Sequence, residues 1–218
     1  MIEILAANYG VLLGGAATTI IVSGLSIAIG MVLGLALAFG LLSHRAPLTA
    51  LCGLYRSFWR GTPILVQLLI VFYMLPQAGI EVSPFVAAVI ALSLNTAAFQ
   101  AEIYRAGLMA IPRGEVEAAR MLGIGKWPIR RRILIPQMFR LVLPALINEA
   151  IIIVKNSSLV SVIAVTELMR RSQQIASTTF KPLEVYLIAG AIYLAVNLVL
   201  AHAGRRMERH MSIAGARA

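Results

Sequence analysis

Ionisable and polar side chains set inside long apolar blocks have the types and spacing to handle a polar solute. Asn95, Glu102 and Glu149 interrupt two such blocks, and Lys155, Asn156, Ser157 and Ser158 close the second. Asn95 and Glu102 share a helix face at seven residues' spacing, as do Glu149 and Asn156. Glu149 could meet a solute ammonium and Lys155 a carboxylate, while Ser157, Ser158 and Ser161 could offer hydroxyls at an unwound segment. Charge in hydrocarbon is costly, so such residues either line a path or neutralise one another. The competing reading is an internal network, with Glu149 paired to Lys155 or to a neighbouring helix and the serines bending or capping helices.

Bond-making chemistry finds no constellation. Gly123-Ile124-Gly125-Lys126 has the look of a phosphate loop, but that pattern needs Gly where Arg120 stands and Ser or Thr where Trp127 stands. The chain has no Asp, so an aspartate for Mg²⁺ is also missing. A single cysteine, Cys52, allows no internal disulfide and no cysteine zinc site. His44, His202 and His210 lack metal-ligand spacing. The expectation is a chain with no catalytic residue, no metal and no cofactor of its own.

The elements that must position these residues are membrane helices. Of the 218 residues, 60% are apolar and 13% charged, and the apolar ones fall in runs near the 20 residues that a bilayer core of about 30 Å requires. The expected spans lie within 10–42, around 62–75, 84–104, 139–154 and 183–203. The first is too long for one perpendicular crossing and must tilt or protrude. Its Gly10/Gly14 and Gly30/Gly34 pairs suit close helix approach, either inside the subunit or at a dimer face. The second block is short, so part of 50–60 must extend it. A tight turn is expected at 76–83, and an irregular stretch at 155–182. The N-terminus carries no positive charge before the first apolar block, so that block reads as a retained span rather than a cleaved signal.

The formal charge of +10 sits between apolar blocks rather than along a soluble face. That is how membrane proteins fix orientation, and no aromatic residues interleave with the basic runs, so nucleic acid is not expected as a partner. Placing the N-terminus outside puts about 15 of the 19 Lys and Arg residues inside, including Arg45, Arg56, Arg60, the 105–140 cluster and the C-terminal arginines through Arg217. The expected topology is N-out, C-in with five spans. Residues 1–9 form a periplasmic N-terminal segment, 10–207 one transmembrane domain with a cytoplasmic loop at 105–137, and 208–218 a cytoplasmic tail.

That loop is longer than a bare connection requires. Pro112 and Gly114 precede a stretch in which Glu115 and Glu117 lead and Arg120 follows, the charge order that complements a helix dipole. Gly123 and Gly125 stop the helix, and Trp127-Pro128 opens a segment running through Ile133 and Pro136 into the membrane. The reading is a short amphipathic helix between two hinges. The paired Ala118 and Ala119 would offer a flat face to another protein.

Glu117-Ala118-Ala119, three residues, Gly123, nine residues, then Ile133-Leu134-Ile135-Pro136 closely resembles the EAA signature of ABC importer permeases. Only Ile135 departs from the pattern, by an isostere of Leu. Arg60-Gly61-Thr62-Pro63 with Val66-Gln67, Ala101-Glu102-Ile103-Tyr104-Arg105-Ala106-Gly107, Asn148-Glu149 and Ser157 through Val162 resemble the polar amino acid branch of these permeases. So do Glu167-Leu168, Gln174-Ile175 and Arg205-Arg206-Met207-Glu208-Arg209. The resemblance implies an all-α membrane protein with the type I importer transmembrane fold, in the bacterial inner membrane. It further implies two partner ATPases that bind the ATP and Mg, a second permease subunit, identical or paralogous, and a periplasmic amino-acid-binding protein. Glu117, Ala118, Ala119, Gly123, Ile133 and Pro136 would couple the chain to the ATPase. In this branch the Lys is commonly followed by Asp, where this chain has Asn156, which argues against a strongly cationic substrate. A stand-alone secondary transporter or channel is the rival, but it usually carries internal repeats across more spans than five.

Overall fold

The computed structural model describes the backbone of residues 2–215 and the side chains of 2–209, so His210 and Arg217 and most of the 208–218 tail lie outside the described side chains. The described chain is helical throughout. Helix α1 (Ile2–Leu41) runs without a break for 40 residues, about 60 Å at 1.5 Å per residue. It begins eight residues before the boundary drawn at Gly10, because nothing in Ile2–Tyr9 breaks the helix. After α1 come α2 (Ala46–Gly61), α3 (Ile64–Gln77) and α4 (Pro84–Ala110). The connecting segment holds α5 (Arg113–Met121) and a single turn, α6 (Lys126–Ile129). A π-helical turn, Arg130–Leu134, leads into α7 (Ile135–Asn156), followed by a 3₁₀ segment, Ser157–Ile163. Helices α8 (Leu168–Thr179) and α9 (Pro182–Gly215) complete the described chain.

Among the described residues, four helical stretches are long and apolar enough to cross a membrane: Ile2–Leu41, Pro84–Ala110, Lys126–Ile163 and Pro182–Arg209. The fifth is the α2–α3 pair, which meets the same test only jointly and bends by 110° at its break. Residues 50–60 therefore do not lengthen α3, as the sequence suggested; they form a separate helix. The cause is Pro63, which steers Thr62 into extended backbone at φ −116°, ψ 150°. A corner at membrane depth leaves backbone carbonyls without helical donors, which lipid cannot supply. Gln67 reaches back to supply them: its Nε2, with two hydrogens, lies within hydrogen-bond distance of Trp59 O (2.8 Å), Thr62 O (3.0 Å) and Thr62 Oγ1 (2.7 Å).

Helix α4 is the centre of the fold and packs against α1, α2, α3 and α7. Its alanines Ala87, Ala88, Ala91, Ala97, Ala98 and Ala101 are fully buried. Lipid tails are as apolar as leucine, so helices here associate through close packing of small residues rather than by leaving water. Gly30 and Gly34 of α1 are the clearest case. A Cβ on Gly30 would lie 2.3 Å from Thr96 Cγ2, and one on Gly34 would lie 2.9 Å from Gln100 Cβ. That pair serves packing within the subunit. Gly10 and Gly14, by contrast, have nothing within 4 Å of an added Cβ.

The stretch expected to be irregular at 155–182 is mostly helical. Glu167 caps α8 by accepting from Met169 N and Arg170 N, both at 2.8 Å, and the same carboxylate accepts from Thr19 Oγ1 of α1 (3.3 Å) and Tyr193 OH of α9 (2.7 Å). Ala164 and Phe180, both at positive φ, turn the chain on either side of α8. The other expected spans are helical but longer: α4 runs six residues past Tyr104, and α7 spans Ile135–Asn156 rather than 139–154.

Candidate functional site

Two groups of residues carry the functional geometry: the connecting segment around α5, and a polar seam along α4.

Helix α5 places Glu115 in its first turn and Arg120 in its last, so its charges follow the dipole. It ends at a Schellman cap. Gly123 sits at φ +73°, Gly123 N donates to Arg120 O (2.9 Å), and Ile124 N donates to Ala119 O (3.1 Å). Nothing lies within 4 Å of a Cβ built at Gly123, so within this chain glycine is required for its backbone angle and not for space. The two alanines part company. Ala119 is 5% exposed and faces the bundle, whereas Glu117 and Ala118 are exposed. Adjacent helical residues stand about 100° apart, so the flat face expected from the pair is Ala118 alone. Around it, Met121 (88% exposed), Leu122 (79%) and Trp127 (67%) leave an apolar surface uncovered in the isolated chain.

The segment from Trp127 through Ile133 and Pro136 enters the bundle without a break. Helix α6, the π turn and α7 run on as one rod, and Pro136 occupies the second position of α7. Proline has no N–H, so the Arg132 carbonyl lacks its usual partner four residues on. The widened π register just before it takes up the change, with Ile135 N donating to Arg130 O. Ile133 is half-buried in that turn. The hydrogen bond from Gln137 to Glu115 ties the foot of the rod to α5.

On α4, Thr96 Oγ1 donates to Glu149 Oε1 of α7 (2.9 Å), Gln100 Nε2 donates to Thr96 Oγ1 (3.1 Å), and Tyr104 OH donates to Gln100 Oε1 (3.3 Å). Glu149 is 5% exposed and pairs with Thr96, not with Lys155. The guanidinium of Arg60 packs 5.4 Å from the Phe99 ring centroid. Asn95 is buried, donating to Gln67 Oε1 (2.7 Å) and Trp59 O (3.3 Å). Glu102 is held between two guanidiniums, Arg56 at 2.7 Å and Arg105 at 2.8 Å. Ser157, Ser158 and Ser161 each donate to a carbonyl three residues back, closing the 3₁₀ segment. Lys155 stands exposed and Asn156 half-buried where α7 ends.

Asn95, Glu102, Glu149, Ser157 and Ser158 are thus engaged within the subunit, while Lys155 and Asn156 stand together at the end of α7. Sequence reasoning missed Gln67, Thr96, Gln100 and Arg60 as members of the polar seam. Gln67 and Gln100 were visible as polar interruptions of apolar blocks; Thr96 carried no signal of its own. Among the described residues, no three His, Cys, Asp or Glu side chains gather to hold a metal.

Residues 26–213 match the family described as the binding-protein-dependent transport system inner membrane component. The chain belongs to that family. These permeases include the arginine transport system permease protein ArtQ of Bacillus subtilis, 40% identical over 201 residues, covering 92% of each chain. The glutamine transport system permease protein GlnP of Escherichia coli K12 is 36% identical over 209 residues, covering 93% of each. Among solved structures, an amino acid ABC transporter described with histidines superposes with a TM-score of 0.85 at 36% identity, covering 94% of this chain and 96% of that one. The α1–α9 arrangement is therefore the type I ABC importer transmembrane fold, and as a family member the chain is an inner membrane permease that works with ATPase partners.

Proposed function

We propose that this chain is the translocation subunit of an ATP-driven importer of polar amino acids, oriented N-out and C-in, with 105–137 facing the cytoplasm. Two ATPases, which bind the ATP and Mg, a second permease subunit and a periplasmic amino-acid-binding protein complete the assembly. The chain itself carries no catalysis. The observation that carries the reading is the uncovered apolar surface of Ala118, Met121 and Leu122 at α5, which is tied to a membrane-crossing rod that exposes Trp127 in its first turn. A surface of that kind marks an interaction site.

The mechanism follows from stiffness. Closure of the ATPase pair displaces α5, and the Glu115–Gln137 bond and the buried Ala119 pass that displacement to α6, the π turn and α7. Because α6 to α7 is one rod, movement at Ile133 and Pro136 reaches Glu149 and Lys155 as rigid-body motion. Glu117 and Gly123 act at the other end, Glu117 as an exposed charge for the partner and Gly123 as the cap that holds α5 in shape. Lys155 is an exposed charge where α7 ends, whereas Glu149, one and two-thirds turns earlier, is turned to Thr96 of α4. Asn156 beside Lys155 adds no charge of its own. The support for amino acids as cargo is the kind of relative this chain matches.

Photo-cross-linking tests the docking assignment. A photoreactive residue in place of Met121 is expected to capture the ATPase, and one at Ala119 is not. Capture from Ala119 alone, or from neither, refutes it.

A further inference from the structure

A cavity of about 930 Å³ opens between the end of α1, the start of α2 and the α5–α6 segment. Its α5 lining, Val116 and Arg120, lies on the face opposite Ala118, Met121 and Leu122. Its volume lies at the upper end of the roughly 300–1,000 Å³ typical of ligand pockets. The lining divides by chemistry. Leu33, Leu37, Phe39 and Leu94 line its membrane part, whereas His44, Arg45, Arg120, Lys126 and Arg130 line the part nearer the connecting segment. No carboxylate lines it.

The basic end is built rather than incidental. The Arg130 guanidinium lies over the Phe39 ring, 4.8 Å from its centroid, which fixes a charge at the boundary of the two halves. The α1–α2 corner is held by Thr49 Oγ1 donating to Ser43 O (2.9 Å) and by Cys52 packed against Gly40. Arg45 precedes α2, whose 16-residue helix starts with no side-chain cap. The positive end of the α2 dipole thus lies at Arg45, a residue of the cavity lining.

We propose that this cavity binds one anionic phospholipid of the phosphatidylglycerol class, with its phosphate among Arg45, Lys126 and Arg130 and an acyl chain along Leu33 and Leu37. Charge complementarity selects an anion, and basic pockets between membrane helices are the usual seat of anionic headgroups. The apolar half selects a lipid over a free anion. Leu33 lies eight residues before Leu41, about 12 Å deeper along α1, and an inorganic anion would leave that length unfilled. A bound lipid would touch α1, α2, Val116 and Arg120 at once, so it would brace α5 against the bundle from the membrane side.

Native mass spectrometry of the full chain in detergent, titrated with phosphatidylglycerol and with phosphatidylcholine of the same acyl chains, tests this. The expected result is one phosphatidylglycerol retained at least tenfold more strongly than phosphatidylcholine. Arg45→Gln with Lys126→Gln should weaken retention roughly tenfold, since each basic group near a headgroup contributes on the order of a few-fold. Arg131→Gln with Arg132→Gln, outside the lining, should not. Leu37→Trp keeps every charge and fills the apolar half, so it should also release the lipid, which separates a lost site from a misfolded variant. Equal retention of both lipids, equal loss in the control pair, or full displacement by equimolar inorganic phosphate would overturn the proposal. Loss of the lipid on assembly with the ATPase would also overturn it, by showing that a protein occupies the cavity. None of these outcomes bears on whether the chain transports amino acids.

Discussion

Replacing Gly123 separates two reasons a glycine can be needed at the end of α5. At φ +73° an L side chain is strained by roughly 1–2 kcal/mol, least for Asn, which tolerates the left-handed region. A Cβ there meets nothing within 4 Å inside the chain, so Gly123→Ala should insert normally and keep its melting temperature within a few degrees. The strain falls on the Schellman cap, which shapes the surface offered by Met121 and Leu122. A loss of 1–2 kcal/mol from the docking-competent shape lowers apparent affinity for the ATPase by roughly 5- to 30-fold. The expected order is Gly above Asn, then Ala, then Val. Fluorescence anisotropy with labelled ATPase and the detergent-solubilised chain measures it. If Ala binds as well as Gly, the backbone argument fails. If Asn is as poor as Val, the partner's close approach, and not the angle, is what demands glycine.

Three further perturbations report on the scaffold. Gly30→Val should lower thermal stability by about 1–3 kcal/mol through overpacking against Thr96, whereas Gly14→Ala should change it little; differential scanning fluorimetry in detergent compares them, and equal effects would contradict the packing assigned to α1. Gln67→Leu keeps the volume but strands the Thr62 carbonyl and leaves Asn95 and the Trp59 carbonyl only their long mutual bond, so a loss of about 1–3 kcal/mol is expected in the same assay, and a neutral result would mean that Gln67 does not pin the corner. Glu167→Ala removes the α8 cap and its ties to Thr19 and Tyr193. It should cost at least the 0.5–2 kcal/mol of a lost cap and speed hydrogen exchange across α8; unchanged exchange would refute the capping role.

The number of candidate spans and the position of the connecting segment were legible because they rest on long apolar runs and on residues with one physical meaning. Gly123 reads as a left-handed stop in sequence and is one in structure. The α2–α3 corner was half legible. Pro63 announced a helix start, but the 110° bend depends on Gln67 reaching back to satisfy the corner, which is a tertiary fact. Helix α8 was hidden because its cap is a carboxylate, Glu167, stabilised from two distant helices rather than by a local Ser or Asn. At the candidate site, polarity within apolar blocks singled out Asn95, Glu102 and Glu149, and each has a side-chain partner on another helix. It could not say which were engaged, because Arg56, Thr96 and Gln67 come from other helices or other turns. The Ala118–Ala119 pair shows the same limit: sequence gives two small residues, and only the packing of α5 decides that Ala119 faces in.

Uptake by proteoliposomes containing this chain and its ATPase tests the central claim most directly. Labelled polar amino acids, presented with the binding protein on the outside and ATP within, are predicted to accumulate against their gradient. Accumulation should stop without the ATPase or with ADP in place of ATP, and it should persist when ion gradients are collapsed. Accumulation by this chain alone under an ion gradient, independent of ATP, would contradict the account.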